Sequence, residues 1–325
     1  MAMKWYDTPY RMLAIGVTFI VLFLLTQWPL ILLLALFPLI TFVMAAFEQP
    51  QLIRHPRAAS AHYRAMRHVS RRQTDDAIRW FTRALQHDPS FTLPMVNRGL
   101  LYMETGQETL AMADFDAALS LNPDIGDALA VRGRLHDLNG DSPAALRDWE
   151  RAALNDSTLV YTLRGLYYTW HGQHLDALAD LREAARRQPE SANAQSNAAY
   201  MAAMLGDTQD ALDYSAQALR IDGTFAPAYV ARGVARWMLN DAPSALSDFL
   251  KAGELRRDYL PALAGQVAAY HLMDSGREAS RVWGYLVTLD ARYARPEPLI
   301  QDIGAAGRYA DALRSVAHTQ KSSIT

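Results

Sequence analysis

One alanine constrains this chain more than any other feature. Ala77, Ala111, Ala145, Ala177, Ala211, Ala245 and Ala279 recur at intervals of 34, 34, 32, 34, 34 and 34 residues. A fixed interval of that size specifies a stacked array of one supersecondary unit rather than a single closed core. Other positions repeat in step. Counting from Gly99, Tyr102 follows at +3, Gly106 at +7, Ala111 at +12, Phe115 at +16, Ala118 at +19 and Pro123 at +24. The set returns as Gly133, Gly140, Ala145, Trp149 and Ala152, then as Gly165, Tyr168, Gly172, Ala177, Ala184 and Pro189. Small residues let two helices approach closely, and the large residue four positions after the alanine fills the remaining gap. Pro123 and Pro189 end the second helices of their units.

This pattern resembles the tetratricopeptide-repeat (TPR) family over residues 58–290. The resemblance implies an all-α, right-handed solenoid of two-helix units, with seven to eight repeats over residues 58–318. It also implies that first helices line a concave face that binds other proteins. A half-matching last unit has Gly307 and Ala312 among Leu299, Ile303, Leu313 and Val316, and residues 319–325 read as a flexible tail. The units starting near Ala58, Asn193 and Leu260 are degenerate, with Ala65, Ala199 and Val267 at the anchor position.

One departure from the family carries structural information. The residue before the anchor glycine, commonly leucine in the family, is Arg98, Arg132, Arg164 or Arg232 here. Asp114, Asp148, Asp180 and Asp248 follow these arginines sixteen residues later. Where Ala198 or Gln266 replaces the arginine, Tyr214 or Val282 replaces the aspartate. The first repeat breaks the rule, with Arg64 against Trp80. Joint presence and absence predicts an ion pair between the two helices of a repeat. These arginines are thereby read as structural and not as a nucleic-acid footprint.

Helical spacing of i, i+3, i+7 and i+10 selects the residues expected on the first-helix face. They include Met66 in the first repeat and Leu93, Val96, Leu100 and Met103 in the second. Arg134, Leu166 and Tyr200 follow, then Val230, Val234 and Trp237. The expected groove is apolar with a charged step at Arg134. It lacks the Lys/Asn/Arg clamp with which some members of the family hold a C-terminal carboxylate. An amphipathic helix or an apolar loop is the expected ligand.

The N-terminus carries a different signal. No charge occurs among the 36 residues between Arg11 and Glu48. One helix of that length would run about 54 Å, against a hydrocarbon core of roughly 30 Å. Thr26-Gln27-Trp28-Pro29 interrupts the stretch near its centre. Two membrane-spanning helices are therefore expected within residues 1–47, followed by a linker over 48–57. Lys4 and Arg11 flank one side, and Arg54, Arg57, Arg64, Arg67, Arg71 and Arg72 the other. Arginine favours the cytoplasmic side, so both ends, and the repeats, are expected there.

Chemistry is poorly served by this sequence. It has no cysteine, which excludes disulfides, thiolate metal sites and cysteine nucleophiles. The net charge of −2 gives no global electrostatic preference for a partner. His171-Gly172-Gln173-His174 has metal-like spacing, but Gly172 occupies the repeat's turn position and no third ligand accompanies it. Phosphate loops, dinucleotide fingerprints and nucleophile elbows are lacking. No catalytic residue, cofactor, metal, nucleic acid or small-molecule substrate is expected.

The layout of hairpin plus repeats is similar to the PelE family, inner-membrane TPR components of bacterial Pel exopolysaccharide machinery. That likeness implies two partners, a cytosolic glycosyltransferase and a membrane-bound cyclic-di-GMP receptor. Two alternatives stand beside it. One is a periplasmic TPR assembly factor for cytochrome c maturation or envelope quality control; the other is an enzyme with an unrecognised site.

Overall fold

The computed structural model describes residues 55–322. The expected membrane hairpin lies outside them. Among the described residues there are sixteen α-helices, one short 3-10 turn and no strand. None of these helices is long and apolar enough to cross a membrane.

The chain divides into two compact units, the first ending at Leu135 and the second beginning at His136. Unit 1 holds α1 (Pro56–Val69), α2 (Thr74–His87), α3 (Thr92–Glu104), α4 (Glu108–Leu121) and most of α5 (Gly126–Leu138). In unit 2 come α6 (Ser142–Leu154), α7 (Leu159–Trp170), α8 (His174–Arg187), α9 (Ala192–Leu205) and α10 (Thr208–Ile221). There follow α11 (Ala226–Met238), α12 (Ala242–Leu255), α13 (Leu260–Leu272) and α14 (Gly276–Leu289). A 3-10 turn (Ala291–Ala294), α15 (Pro296–Ile303) and α16 (Gly307–Ser322) complete it.

The periodic residues explain the hairpins. All seven repeat alanines are at most 1% exposed. Four residues on, Phe81, Phe115, Trp149, Leu181, Phe249 and Trp283 are buried too, and Ser215 takes the same place in the fifth repeat. The anchor glycines are needed for approach. A Cβ on Gly99 would lie 2.9 Å from Phe115, and one on Gly233 would lie 2.7 Å from Phe249. Phe249 is also pressed by Gly265 of the next first helix, where a Cβ would sit 2.2 Å away.

The turn inside each hairpin needs a left-handed residue, which lets the chain reverse after the first helix. Gly106, Gly140, Gly172 and Gly206 supply it with φ between +72° and +88°. Arg72, Asn240 and Asp274 hold the same column at φ near +60°. Asparagine and aspartate tolerate that region, whereas arginine has no local hydrogen bond to offset its steric cost.

The end of the chain departs from the repeat plan. Gly307 and Ala312 do not continue the stack as an eighth hairpin. α15 has only eight residues, and Gly304 at φ +64° stops it. α16 then folds back on its own unit, against α9, α13 and α14, and reaches α11 through the meeting of Tyr309 with Trp237. It runs to Ser322, into the stretch expected to be a tail.

Candidate functional site

The arginine–aspartate contacts form the frame. Arg98 donates to both carboxylate oxygens of Asp114, through Nε at 2.8 Å and Nη2 at 2.7 Å. Arg164 holds Asp180 the same way at 2.7 and 2.9 Å, and Arg232 holds Asp248 at 3.0 and 2.7 Å. Arg236 adds a further bond to Asp248 at 2.8 Å. The three aspartates are buried, and each guanidinium's pKa is raised chiefly by its hydrogen bond to the carboxylate, against the cost of burial.

Arg132 and Asp148 fall in different units, so their expected pairing stays an expectation. Within unit 1 Arg132 donates to Asp116 at 2.8 Å, and within unit 2 His136 lies 3.8 Å from Asp148. The Arg132 contact and the bond from Arg98 to Thr82 at 2.8 Å point sixteen residues backward. Arg98 therefore ties its first helix to the second helix of the preceding repeat as well as to its own, and Arg132 makes the backward contact too. The forward spacing of sixteen residues does not announce this second contact.

The first-helix face of unit 1 is open in part. Met66 and Leu100 are 40% and 36% exposed, and Leu93, Met103 and Arg134 are half-buried. Val96 is buried. Leu93 packs with Tyr63 on a small cluster of Ala58, Ala59 and Phe91.

The same face of unit 2 is filled by the chain itself. Val230, Val234 and Trp237, selected by spacing as groove residues, are each 2% exposed or less. Trp237 meets Tyr309 of α16 edge-on at 5.3 Å between ring centroids, and the Arg308 guanidinium lies over the Trp237 ring, 4.8 Å from its centroid. Arg308 also donates to the carbonyl of Met238 at 3.3 Å and to Asn240 Oδ1 at 2.5 Å. The half-buried Tyr200 donates its hydroxyl to the Ile303 carbonyl at 2.8 Å. Burial raises the pKa of that hydroxyl well above the usual tyrosine value, so it remains a donor.

Part of the face stays open beside α15. A pocket of about 200 Å³ lies between Leu166 and Trp170 of α7, Asn197 and Tyr200 of α9, and Val230 of α11. Tyr259 closes one wall and Asp302 to Gly304 the end. Asp302 is held in place by the Tyr293 hydroxyl at 2.8 Å and by Arg292 at 3.2 Å. Burial, and then the bond to Asp302, pushes the Tyr293 hydroxyl up to about 12. The pocket is a mixed apolar and polar binding surface in which the Thr169 and Tyr200 hydroxyls and the Asp302 carboxylate are committed to structural bonds. Among the described residues no group of three or more histidine, aspartate or glutamate side chains is placed to hold a metal. His171 instead lies 2.9 Å from the Tyr167 carbonyl through Nδ1.

Arg308, Tyr309 and Asp302 were not legible as site residues from sequence. The one available signal was the length of α15, since eight residues between Pro296 and Gly304 are too few for a first helix of the array.

Comparison with known proteins agrees with this geometry. The family described as "Tetratricopeptide repeat" matches residues 64–123, 96–158 and 163–227, and these stretches are tetratricopeptide repeats. The chain is 26% identical to human "Tetratricopeptide repeat protein 6" over 214 residues, covering 54% of this chain and 41% of that protein. It is 28% identical to "Tetratricopeptide repeat protein 37" of Xenopus laevis over 247 residues, covering 62% of this chain and 16% of that protein. This chain thus spans less than half the length of either relative. Among solved structures, a chain of the APC/C hetero-tetramer Cut9-Hcn1 superposes with a TM-score of 0.59 at 14% identity. That superposition covers 80% of this chain and 53% of the other, and it speaks to fold.

Proposed function

We propose that this tetratricopeptide-repeat chain is a membrane-anchored protein-interaction scaffold in a bacterial inner-membrane assembly. Its repeats are protein-binding modules, which is the general part of the reading. The specific part is Pel-type exopolysaccharide synthesis and export, in which the repeats would recruit a cytosolic glycosyltransferase to a membrane-bound cyclic-di-GMP receptor. The observation that carries the reading is the juxtaposition of an uncharged 36-residue N-terminal stretch with a repeat array. One segment would fix the chain to a bilayer, and the other would present helical faces to soluble partners.

The residues around the pocket support binding over catalysis. Tyr200, Tyr293 and Asp302 are engaged with main chain or with each other. A scaffold needs fixed surfaces, and these bonds fix one.

Affinity capture of the intact chain in mild detergent tests the assembly. Recovery of glycosyltransferase and polysaccharide-export components is expected; recovery of a cytochrome c maturation complex would contradict it. A phosphatase fused after Thr325 tests the orientation. It is expected to stay inactive in the periplasmic assay, and an active fusion would place the repeats outside.

A further inference from the structure

The packing of α16 describes a ligand as well as a chain terminus. Tyr309, Leu313 and Val316 sit at i, i+4 and i+7 and are all buried, so α16 presents one continuous apolar stripe to its unit, which it meets on α9, α13 and α14 and, at Trp237, on α11. Arg308 precedes the stripe and acts as a latch. Its guanidinium stacks on Trp237 and bonds the Met238 carbonyl and Asn240 Oδ1. Asn240 fills the turn column that glycine holds in four other repeats, and there it supplies an acceptor that glycine lacks.

Two features bear on how tightly this seat is held. Gly304 and Gly307 both have positive φ, at +64° and +51°, and they bracket a short joint between α15 and α16. Rotation at that joint moves α16 without unwinding α15. The second feature is Tyr309 itself, whose hydroxyl is fully buried with no hydrogen-bond partner. A buried, unpaired hydroxyl weakens the contact that contains it. The cis helix is thus a serviceable occupant of its seat and not the best one.

We propose that α16 occupies in cis a seat that unit 2 offers in trans to an amphipathic helix of a partner protein. That helix carries arginine followed by an aromatic residue, with large aliphatic residues four and seven positions beyond the aromatic one. Phenylalanine at the aromatic position fills the contact with Trp237 and leaves no hydroxyl stranded. The pocket beside α15 extends the seat past the N-terminal end of the helix, giving such a ligand room for one further side chain. This rests on the scaffold reading and deepens it by naming the ligand and the segment it displaces.

The test uses the full chain in mild detergent and a fluorescein-labelled peptide of residues 307–322 with phenylalanine at position 309. Arg308→Ala loosens the latch, and the peptide is expected to bind that variant about ten-fold more tightly than the unaltered chain. Tyr309→Phe improves the cis helix, so the same peptide is expected to bind about ten-fold more weakly and the melting temperature to rise. Equal affinity for all three proteins would overturn the proposal. So would an Arg308→Ala variant that exchanges α16 between copies into dimers, because the occupant would then be a second copy. If Arg308→Ala fails to fold, the comparison between Tyr309→Phe and the unaltered chain still decides. Failure to capture any membrane partner would remove the assembly reading and leave the peptide result standing.

Discussion

The first-helix faces of the two units are built on the same repeat columns and end up differently covered. In unit 1, Met66 and Leu100 are 40% and 36% exposed; in unit 2, Val230, Val234 and Trp237 are at most 2% exposed. The repeat spacing alone assigns all five to one groove. At Trp237 the cover is Tyr309 and Arg308 of α16, a segment outside the periodic pattern, whereas Val96 of unit 1, in the same column as Val230, is buried within its own unit. The repeat code specifies how one hairpin is held together, through Ala77 or Ala245 and the aromatic four residues later. It does not specify what lies on the face those hairpins present.

Deleting part of the cover should break the contrast most strongly. Leu313→Ala removes a fully buried side chain from α16 and is expected to destabilise unit 2 by about 4 kcal/mol. Hydrogen exchange should show faster opening of α9, α11 and α13, with α1 to α4 unchanged.

Next come the ion pairs, which hold both units by the same means. Arg164→Ala strands the buried carboxylate of Asp180 and is expected to cost about 3 kcal/mol in a thermal melt. Arg232→Ala should cost less, about 1–2 kcal/mol, because Arg236 still reaches Asp248 at 2.8 Å. Equal losses for the two variants would mean that Arg236 contributes nothing.

Unit 1 should show a pH effect of its own. His62 is buried among Tyr63, Phe81 and Phe91, and desolvation lowers its pKa from 6.5 to about 4. The unfolded chain therefore takes up a proton at a higher pH than the folded one. Stability is complete above pH 6.5 and declines as pH falls toward 4, by about 2 kcal/mol between pH 6.5 and 4.5. In His62→Phe the slope over that window should flatten for α1 and α2, as read by hydrogen exchange at several pH values.

The smallest effect is expected at the turn of the first hairpin. Arg72 holds a left-handed position at φ +57°, where four other repeats use glycine. Arg72→Gly should stabilise unit 1 by about 1 kcal/mol. A melt showing loss of stability would point to a contact of the Arg72 side chain that outweighs its backbone cost.

The hairpins were legible because their constraints are local and recur seven times. Gly99 against Phe115, Gly233 against Phe249, and the bidentate Arg98–Asp114 and Arg164–Asp180 contacts all follow from repeated spacings. The backward contacts of Arg98 to Thr82 and Arg132 to Asp116 were not legible. Their partners vary in type, so no column of the repeat announces them. The seat of α16 was hidden for a different reason. Gly307 and Ala312 mimic anchor and alanine positions of a further repeat, while the direction of α16 is set by the eight-residue length of α15 and by one long-range meeting of Tyr309 with Trp237. Sequence separation of that order leaves no periodic trace.

The contrast between the two faces can be read directly, because the chain has no cysteine of its own. Met66→Cys and Leu313→Cys would each carry the single thiol of the full chain, and their rates of maleimide labelling report access to unit 1's face and to the underside of α16. The expected result is fast labelling at position 66 and labelling slower by at least about ten-fold at position 313, with the protection lost once Arg308→Ala is added. Labelling at position 313 as fast as at position 66 in the otherwise unaltered chain would show that α16 does not rest on the first helices, and would contradict the account.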